Sequence, residues 1–170
     1  MDLSRITLRP FKQSDAQDML SWAGDDRVTE ADRLKTLKSK EEALAFIERN
    51  STPHLWMRSI CVDDRSFGLL TVYVGSGDER CRGDIGYALA VEYWGKGITT
   101  RAVEMAVPKV FEEFPQILRL QAMTNVNNKG SRRVLEKAGF TKDALMRKHY
   151  YLKGEIQDVV VYSILAPDSD

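Results

Sequence analysis

The order of apolar patterns along the chain predicts strands at both ends and in the middle, with helices between them. Alternating or β-branched apolar runs are typical of strands, and apolar residues spaced three and four apart are typical of helices. The predicted strands are RITLRPF (5–11), LWMRSICV (55–62), SFGLLTVYV (66–74), GDIGYALAV (83–91), ILRLQAMT (117–124) and EIQDVVVYSIL (155–165). The predicted helices cover 16–23, 39–49, 99–114 and 131–138.

Local signals at the helix ends support these boundaries. Ser14 with Gln17, and Ser39 with Glu42, have the spacing of a capping box, in which two side chains satisfy free N–H groups at a helix start. The segment NSTP at 50–53 is predicted to end the second helix. Gly139 followed by Phe140 predicts a left-handed C-cap with an apolar contact after the last helix. The intervening segment 27–38 is polar and predicted to be irregular.

Together these elements predict one α+β domain over residues 1–170. Three consecutive strands separated by turn residues form a meander, and the strand–helix–strand unit around 84–124 forms a parallel crossover, which should be right-handed. The sheet is therefore expected to be mixed and mostly antiparallel.

Charge and cysteine content restrict the possible partners and the compartment. Lys plus Arg and Asp plus Glu each number 25, so the bulk charge does not favour nucleic acid or an anionic membrane as a partner. The start MDLSRITLRP is charged and is not expected to be a secretory signal. Cys61 and Cys81 lack metal-ligand spacing, so we expect no metal site, and free thiols in a reducing, cytoplasmic setting.

Two glycines one residue apart, in the segment WGKGITT, lie where the predicted strand 83–91 gives way to a helix. Glycine lets the backbone approach a bulky ligand, and the first turn of a helix offers free N–H groups and a positive dipole end. The order therefore predicts a site for a pyrophosphate. The spacing is neither the Gly-x-Gly-x-x-Gly of a Rossmann site, because Thr100 holds the third position, nor that of a P-loop.

Two segments resemble a known family. DIGYALAVEYWGKGITTRAV resembles motif A of the GNAT acetyltransferase superfamily, and NNKGSRRVLEKAGF (127–140) resembles its motif B. The resemblance extends from ITLRPF to DVVVYSIL and is nearest to the branch that acetylates ribosomal-protein N-termini. It implies the GNAT fold, with about seven strands, four flanking helices and a splayed parallel pair of strands at the cofactor site.

The resemblance also implies acetyl-coenzyme A as cosubstrate and places its binding residues. Residues beside the thioester are expected to be Leu89, Ala90 and Val91. The pyrophosphate is expected on the loop Trp94, Gly95, Lys96, Gly97, Ile98, Thr99 and Thr100. Asn128 is expected to contact the cofactor, and it also has the chemistry of a helix N-cap.

The resemblance assigns the catalytic groups less completely than it assigns the cofactor-binding residues. The position of the family's usual tyrosine acid is Leu135, and the carboxylate base of the ribosomal branch is replaced by Tyr150. The branch's serine acid corresponds to Ser131, which also suits a structural role in the first turn of its helix. The remaining candidates for the base are Asp84, Glu30 or a chain of waters. The amine pocket is expected between the segments 27–38 and 147–155.

The resulting hypothesis is an N-acetyltransferase acting on a primary amine by direct attack on the thioester, with a protein or peptide α-amine as the acceptor. Two alternatives stay open: acetylation of a small amine such as a polyamine or aminoglycoside, and a catalytically idle cofactor-binding module. The sequence is compatible with a monomer or a homodimer.

Overall fold

The computed structural model describes residues 1–49 and 52–168. In these ranges the strands are β1 (Ile6–Arg9), β2 (Leu55–Val62), β3 (Arg65–Val74), β4 (Arg82–Leu89), β5 (Arg119–Asn125), β6 (Thr141–Leu152) and β7 (Glu155–Leu165). The α-helices are α1 (Ala16–Ala23), α2 (Asp26–Thr29), α3 (Lys40–Arg49), α4 (Ile98–Glu113) and α5 (Lys129–Lys137).

All seven described strands belong to one sheet in the order β1-β2-β3-β4-β5-β7-β6. Only β4 and β5 run parallel, and α4 connects them, so the predicted mixed sheet with a parallel crossover is confirmed. The strand β6 was not predicted as a separate strand. Most of its residues are exposed, so it lacks the apolar alternation that marks the other strands.

The core has two parts, one on each face of the sheet. Alternate residues of β4 separate between them: Ile85 and Leu89 pack with α4, whereas Ala88 packs with α1 and α3. Trp22 and Trp56 are both 3% exposed, and each belongs to one of these two cores. The sheet therefore has helices on both faces, and a ligand reaches its interior only where strands separate.

The capping predictions are partly correct. The Ser39 hydroxyl accepts from the Glu42 N–H at 3.1 Å, and the Glu42 carboxylate accepts from the Lys38 N–H at 2.8 Å, so a reciprocal cap opens α3. The predicted Ser14–Gln17 box is wrong, because α1 begins at Ala16 after a 3₁₀ turn and has Asp15 as its N-cap residue. Asp15 instead accepts from the Lys12 N–H at 2.7 Å.

The remaining helix boundaries follow the sequence closely. Gly139 has φ +90°, and the Phe140 N–H donates to the Leu135 carbonyl at 3.0 Å, which confirms the left-handed C-cap of α5. The helix α4 continues past Pro108 to Glu113. The segment expected to be irregular overlaps the four-residue helix α2 at its start. The predicted end of α3 includes Asn50 and Ser51, which lie outside the described residues.

No helix in the described part of the chain has the length and apolarity to cross a bilayer. The same residues contain no cluster of three or more His, Cys, Asp or Glu side chains suited to a metal ion.

A buried ion pair joins β1 to the start of α1. Two Arg9 nitrogens lie 2.7 and 2.9 Å from the two Asp15 carboxylate oxygens, and Asp15 is 4% exposed. Burial alone would raise the pKa of Asp15, but hydrogen bonds from Arg9 and from the Lys12 N–H outweigh it and hold that pKa below its ordinary value. The ionised pair therefore stabilises the fold at neutral pH.

We expect Asp15→Asn to lower the free energy of unfolding by about 2–3 kcal/mol at pH 7, because it removes the buried carboxylate and leaves Arg9 with the exposed Asp64 as its remaining counter-charge. A carboxylate with a lowered pKa contributes stability above its unfolded pKa, near 3.9, and loses it as the pH falls through the folded value. Urea unfolding should therefore show the two proteins converging in acid. The exposed Arg5–Asp63 pair provides the control, since solvent screens it and Asp63→Asn should have a much smaller effect. Equal effects of the two substitutions would contradict this assignment.

Candidate active site

The parallel pair β4–β5 separates after three residues. Arg82–Asp84 pair with Arg119–Gln121, but β4 continues to Leu89 and β5 to Asn125 without further pairing in the register. A cavity of about 980 Å³ occupies the divergence, and its lining includes residues 85–89 of β4 and 122–125 of β5. The predicted splay of the two strands is therefore confirmed.

Every second residue of β4 points its backbone N–H and C=O groups toward this gap. Leu69 pairs with Ala88 across β3 and β4, and the Ala90 N–H donates to the Phe67 carbonyl at 2.8 Å. In an antiparallel ladder the intervening residues point their N–H and C=O groups the other way. Tyr87 and Leu89 therefore present their backbone groups to the gap.

This alternation distinguishes the three residues predicted beside the thioester. The Ala90 N–H is already used by β3, and neither Ala90 nor Val91 lines the cavity, whereas Leu89 does. The Leu89 carbonyl accepts from the Trp94 indole N–H at 2.8 Å, so Trp94 closes the end of the gap beyond Leu89.

The glycine loop joins the cavity to the start of α4. Gly95 has φ +70° and Gly97 has φ +78°, conformations that side chains with a Cβ rarely adopt. Gly97 is the N-cap residue of α4, with no side-chain cap and no acidic residue in the first turn. The first helical N–H groups therefore lack protein partners of the usual kind and carry the positive end of the helix dipole.

The side chains of this loop play unequal parts. Trp94, Gly95 and Thr99 line the cavity. Ile98 is 1% exposed, so only its backbone can face a ligand. The Lys96 ammonium donates to the Glu92 carbonyl at 2.6 Å, which places its charge against the loop backbone. Thr100 is half-buried in the first turn and does not line the cavity.

The start of α5 forms a second polar wall. Asn128 is its N-cap, because the Asn128 side chain accepts from the Ser131 N–H at 3.0 Å. Both residues line the cavity, so the capping role coexists with access to a ligand. The tyrosine position of the family, Leu135, is fully buried in the core.

Tyr87 is a cavity residue that the sequence analysis missed. Its hydroxyl lies 2.9 Å from the Ser131 hydroxyl and 3.1 Å from the Ser131 carbonyl oxygen. Burial raises the pKa of the Tyr87 phenol above its ordinary value, against the opposing effect of the hydrogen bond to Ser131. The sequence did contain one signal for this residue. Tyr87 lies on the same face of β4 as the apolar residues Ile85 and Leu89, but its side chain ends in a polar hydroxyl.

Two distant segments, between which the amine pocket is predicted, meet at the other end of the cavity. Lining residues come from the α2 region at 27–32 and from the β6–β7 hairpin at 150–157. The Lys153 ammonium donates to the carbonyls of Thr29 and Leu34, and the Arg33 guanidinium lies 4.9 Å from the centroid of the Tyr150 ring. These contacts hold the hairpin against the α2 region.

Carboxylates lie at this end of the cavity, but Asp84 is not among them. Glu30, Asp32 and Glu155 line it. Asp84 lies in the paired part of β4, where it accepts from the Gln121 amide at 2.6 Å and lies 3.8 Å from the Arg82 guanidinium. Its position, outside the cavity lining, argues against its predicted role as the base.

Neither cysteine lies in the cavity lining. Cys61 is buried in β2, and its burial raises the pKa of the thiol, which makes it a poor nucleophile. Cys81 is exposed in the turn before β4.

Comparison with known proteins identifies the family. The family profile described as "Acetyltransferase (GNAT) domain" matches residues 5–141. The probable N-acetyltransferase YjcK of Bacillus subtilis is 30% identical over 176 residues, covering 97% of this chain and 96% of that protein.

Two solved structures share the fold. One is RimL, a ribosomal L7/L12 alpha-N-protein acetyltransferase, in complex with coenzyme A; it has a TM-score of 0.83, 20% identity, and coverage of 95% of this chain and 94% of that chain. The other is the acetyltransferase that modifies the N-terminal serine of L7/L12 in Salmonella typhimurium. It has a TM-score of 0.81, 20% identity and coverage of 96% of both chains.

The family profile covers most of the chain, and the diverging strand pair, the glycine loop and the two motifs agree with it. The chain therefore belongs to the GNAT acetyltransferase family and is an acetyl-coenzyme A dependent N-acetyltransferase.

Proposed function

We propose that this enzyme acetylates the α-amine at the N-terminus of a protein or peptide. The observation that carries the proposal is one continuous cavity. It runs from the glycine loop, through the gap between β4 and β5, to an end that bears three carboxylates. A thioester bound along the gap would present its acetyl group to an amine entering from the carboxylate end.

The described residues fit coenzyme A. In the proposed arrangement the backbone from Gly95 to Thr100 holds the pyrophosphate, with Thr99 as an added hydroxyl donor and Lys96 as nearby charge. Tyr87 bonds the pantetheine arm through its gap-facing backbone groups, Leu89 lies beside the thioester, and Asn128 contacts the cofactor from α5. The bound cosubstrate supplies an acetyl group activated as a thioester.

Groups of the chain itself then stabilise the carbonyl oxygen, stabilise the departing sulfur and help to remove the proton of the amine. The Leu89 N–H is the donor for the carbonyl oxygen, since it faces the gap and the Ala90 N–H does not. The Ser131 hydroxyl is the donor for the departing sulfur. Glu30, with Asp32 and Glu155, attracts the ammonium form of the acceptor and passes its proton to solvent through water.

Among the described residues that line the cavity there is no histidine, and we propose that the three carboxylates and solvent share the proton, an arrangement that favours α-amines as acceptors. An α-amine has a pKa near 8, so about a tenth is neutral at pH 7, whereas a lysine amine with a pKa near 10.4 is neutral about once in two thousand or more. An enzyme that relies on the neutral fraction therefore prefers the α-amine. The two fold neighbours that act on L7/L12 support the same choice.

A small polyamine is the second candidate, favoured by the carboxylates at the acceptor end. The same lining also contains Arg27 and Lys153, which reduce its attraction for a polycation. We further propose that residues 1–170 act as one domain in the reducing cytoplasm, since the described helices pack on a single sheet and both cysteines are free.

The first prediction concerns the glycine loop. Gly97→Val should weaken coenzyme A binding at least about tenfold, or ~1.4 kcal/mol, because a β-branched residue strains φ +78° and blocks the backbone approach. Calorimetry on the folded variant measures this. Gly77→Val is the matched control, since Gly77 also has positive φ but lies outside the cavity lining. Unchanged affinity in folded Gly97→Val removes the loop from the site.

The second prediction concerns the acceptor. Free-thiol release at pH 7 should give a kcat/KM about a hundredfold or more higher for a peptide with a free N-terminus than for its N-acetylated counterpart containing one lysine. Spermidine tests the second candidate in the same assay. Binding of acetyl-coenzyme A without turnover of any amine would indicate an idle module, and efficient lysine acetylation would contradict the α-amine preference.

The shared-base proposal has its own controls in this assay. Glu30→Gln should lower kcat/KM by less than about tenfold, because water and the neighbouring carboxylates also take the proton. Asp84→Asn should leave it near the wild-type value. A loss above about a hundredfold in Glu30→Gln that is recovered at high pH would identify Glu30 as a dedicated base instead.

A further inference from the structure

Ser131 is held by hydrogen bonds on two sides. Its backbone N–H donates to the Asn128 side chain at 3.0 Å, while its hydroxyl and its backbone carbonyl both lie within hydrogen-bonding distance of the Tyr87 hydroxyl. These contacts join β4 to the first turn of α5, across residues that line the same cavity. The hydroxyl of a free serine rotates among several partners, so this arrangement restricts where its proton can point.

The two possible proton arrangements are not equivalent for a ligand. When the Tyr87 O–H points to the Ser131 carbonyl, the Ser131 O–H is free to donate back to the phenol oxygen. When the Tyr87 O–H points to the Ser131 oxygen, the serine proton is released toward the cavity. An anion in the cavity favours the second arrangement, because a chain of hydrogen bonds aligned toward a charge strengthens each member.

We propose that Tyr87 is a positioning residue that donates to the Ser131 hydroxyl and thereby directs the serine proton to the departing sulfur of coenzyme A. This inference rests on the proposed function for the role of Ser131. Tyr87 acts through Ser131.

The pair stabilises the sulfur without transferring a proton. As the amine nitrogen bonds to the acetyl carbon, the carbon–sulfur bond breaks and its electron pair stays on sulfur. The ammonium proton goes to solvent, and the thiolate takes its proton from solvent later. Burial raises the pKa of the Tyr87 phenol, so a relay that left a tyrosinate in this position would be unfavourable, whereas donation by the neutral phenol is not.

The kinetic test is a single-turnover measurement on Tyr87→Phe, which keeps the ring and removes only the hydroxyl. The rate should fall about fivefold to tenfold while the affinity for acetyl-coenzyme A stays within about twofold. In a Ser131→Ala background the same substitution should have no further effect, since Tyr87 acts through the Ser131 hydroxyl, which that variant lacks. Tyr73→Phe, an exposed tyrosine outside the cavity lining, is the matched control and should behave as wild type.

A second measurement needs no catalysis. Coenzyme A and desulfo-coenzyme A differ only at the sulfur, whose thiol has a pKa near 8.5. If Ser131 donates to the thiolate, the affinity for coenzyme A relative to desulfo-coenzyme A should rise about fivefold or more between pH 7 and 9.5. Calorimetry should show this rise abolished in Ser131→Ala, reduced in Tyr87→Phe and retained in Tyr73→Phe.

Three results overturn the inference: a wild-type single-turnover rate in Tyr87→Phe, an equal loss in the Ser131→Ala background, or a wild-type affinity ratio that does not change with pH. Failure of the proposed function looks different. An enzyme that prefers lysine or turns over no amine fails the acceptor assay, while the binding comparison still tests the Tyr87–Ser131 pair.

Discussion

The central constraint in this molecule is a gap in the hydrogen-bonding pattern of its sheet. Buried backbone groups almost always find partners, and β4 loses those of its β5 side after only three pairs. The backbone groups of Tyr87 and the Leu89 N–H must therefore bond to water or to a ligand, while Trp94 already satisfies the Leu89 carbonyl. Packed helices on both faces keep the sheet intact around this gap, so the opening is a built feature of the fold.

The other parts of the site are arranged around that gap. The glycine loop follows β4 after a single 3₁₀ turn, so the start of α4, which has no side-chain cap, opens at the same end as Leu89. The parallel direction of β5 brings the start of α5 to the facing edge, with Asn128 and Ser131 in its first turn. The hairpin β6–β7 and the α2 region close the opposite side through Lys153. The three-residue pairing of β4 with β5 thus determines where three walls of the cavity lie.

The sequence was sufficient to predict elements whose apolar pattern is regular and motifs whose chemistry is local. GDIGYALAV, the glycine loop and Asn128 all lie where they were expected. The strand β6 was missed because an exposed edge strand needs no alternating pattern. The capping role of Ser14 was wrong because Ser14 lies inside a 3₁₀ turn and Asp15 is the N-cap residue of α1.

Features that depend on strand register could not be predicted from the sequence. Whether the Leu89 or the Ala90 N–H faces the gap depends on how β4 pairs with β3. The neighbours of Asp84 and the pairing of Tyr87 with Ser131 depend on contacts across 37 and 44 residues. Such contacts follow from tertiary packing, so a list of candidate residues in the sequence contained Asp84 and omitted Tyr87.

Amide hydrogen exchange with and without acetyl-coenzyme A, in the absence of an amine acceptor and resolved by residue, tests the central claim most directly. The account predicts that the Tyr87 and Leu89 amides exchange rapidly in the free protein and at least about tenfold more slowly with acetyl-coenzyme A, because the ligand becomes their partner. The Ala88 and Ala90 amides, already bonded to β3, should be slow in both states. Unchanged exchange at Tyr87 and Leu89 under saturating acetyl-coenzyme A would contradict the placement of the cosubstrate in the gap.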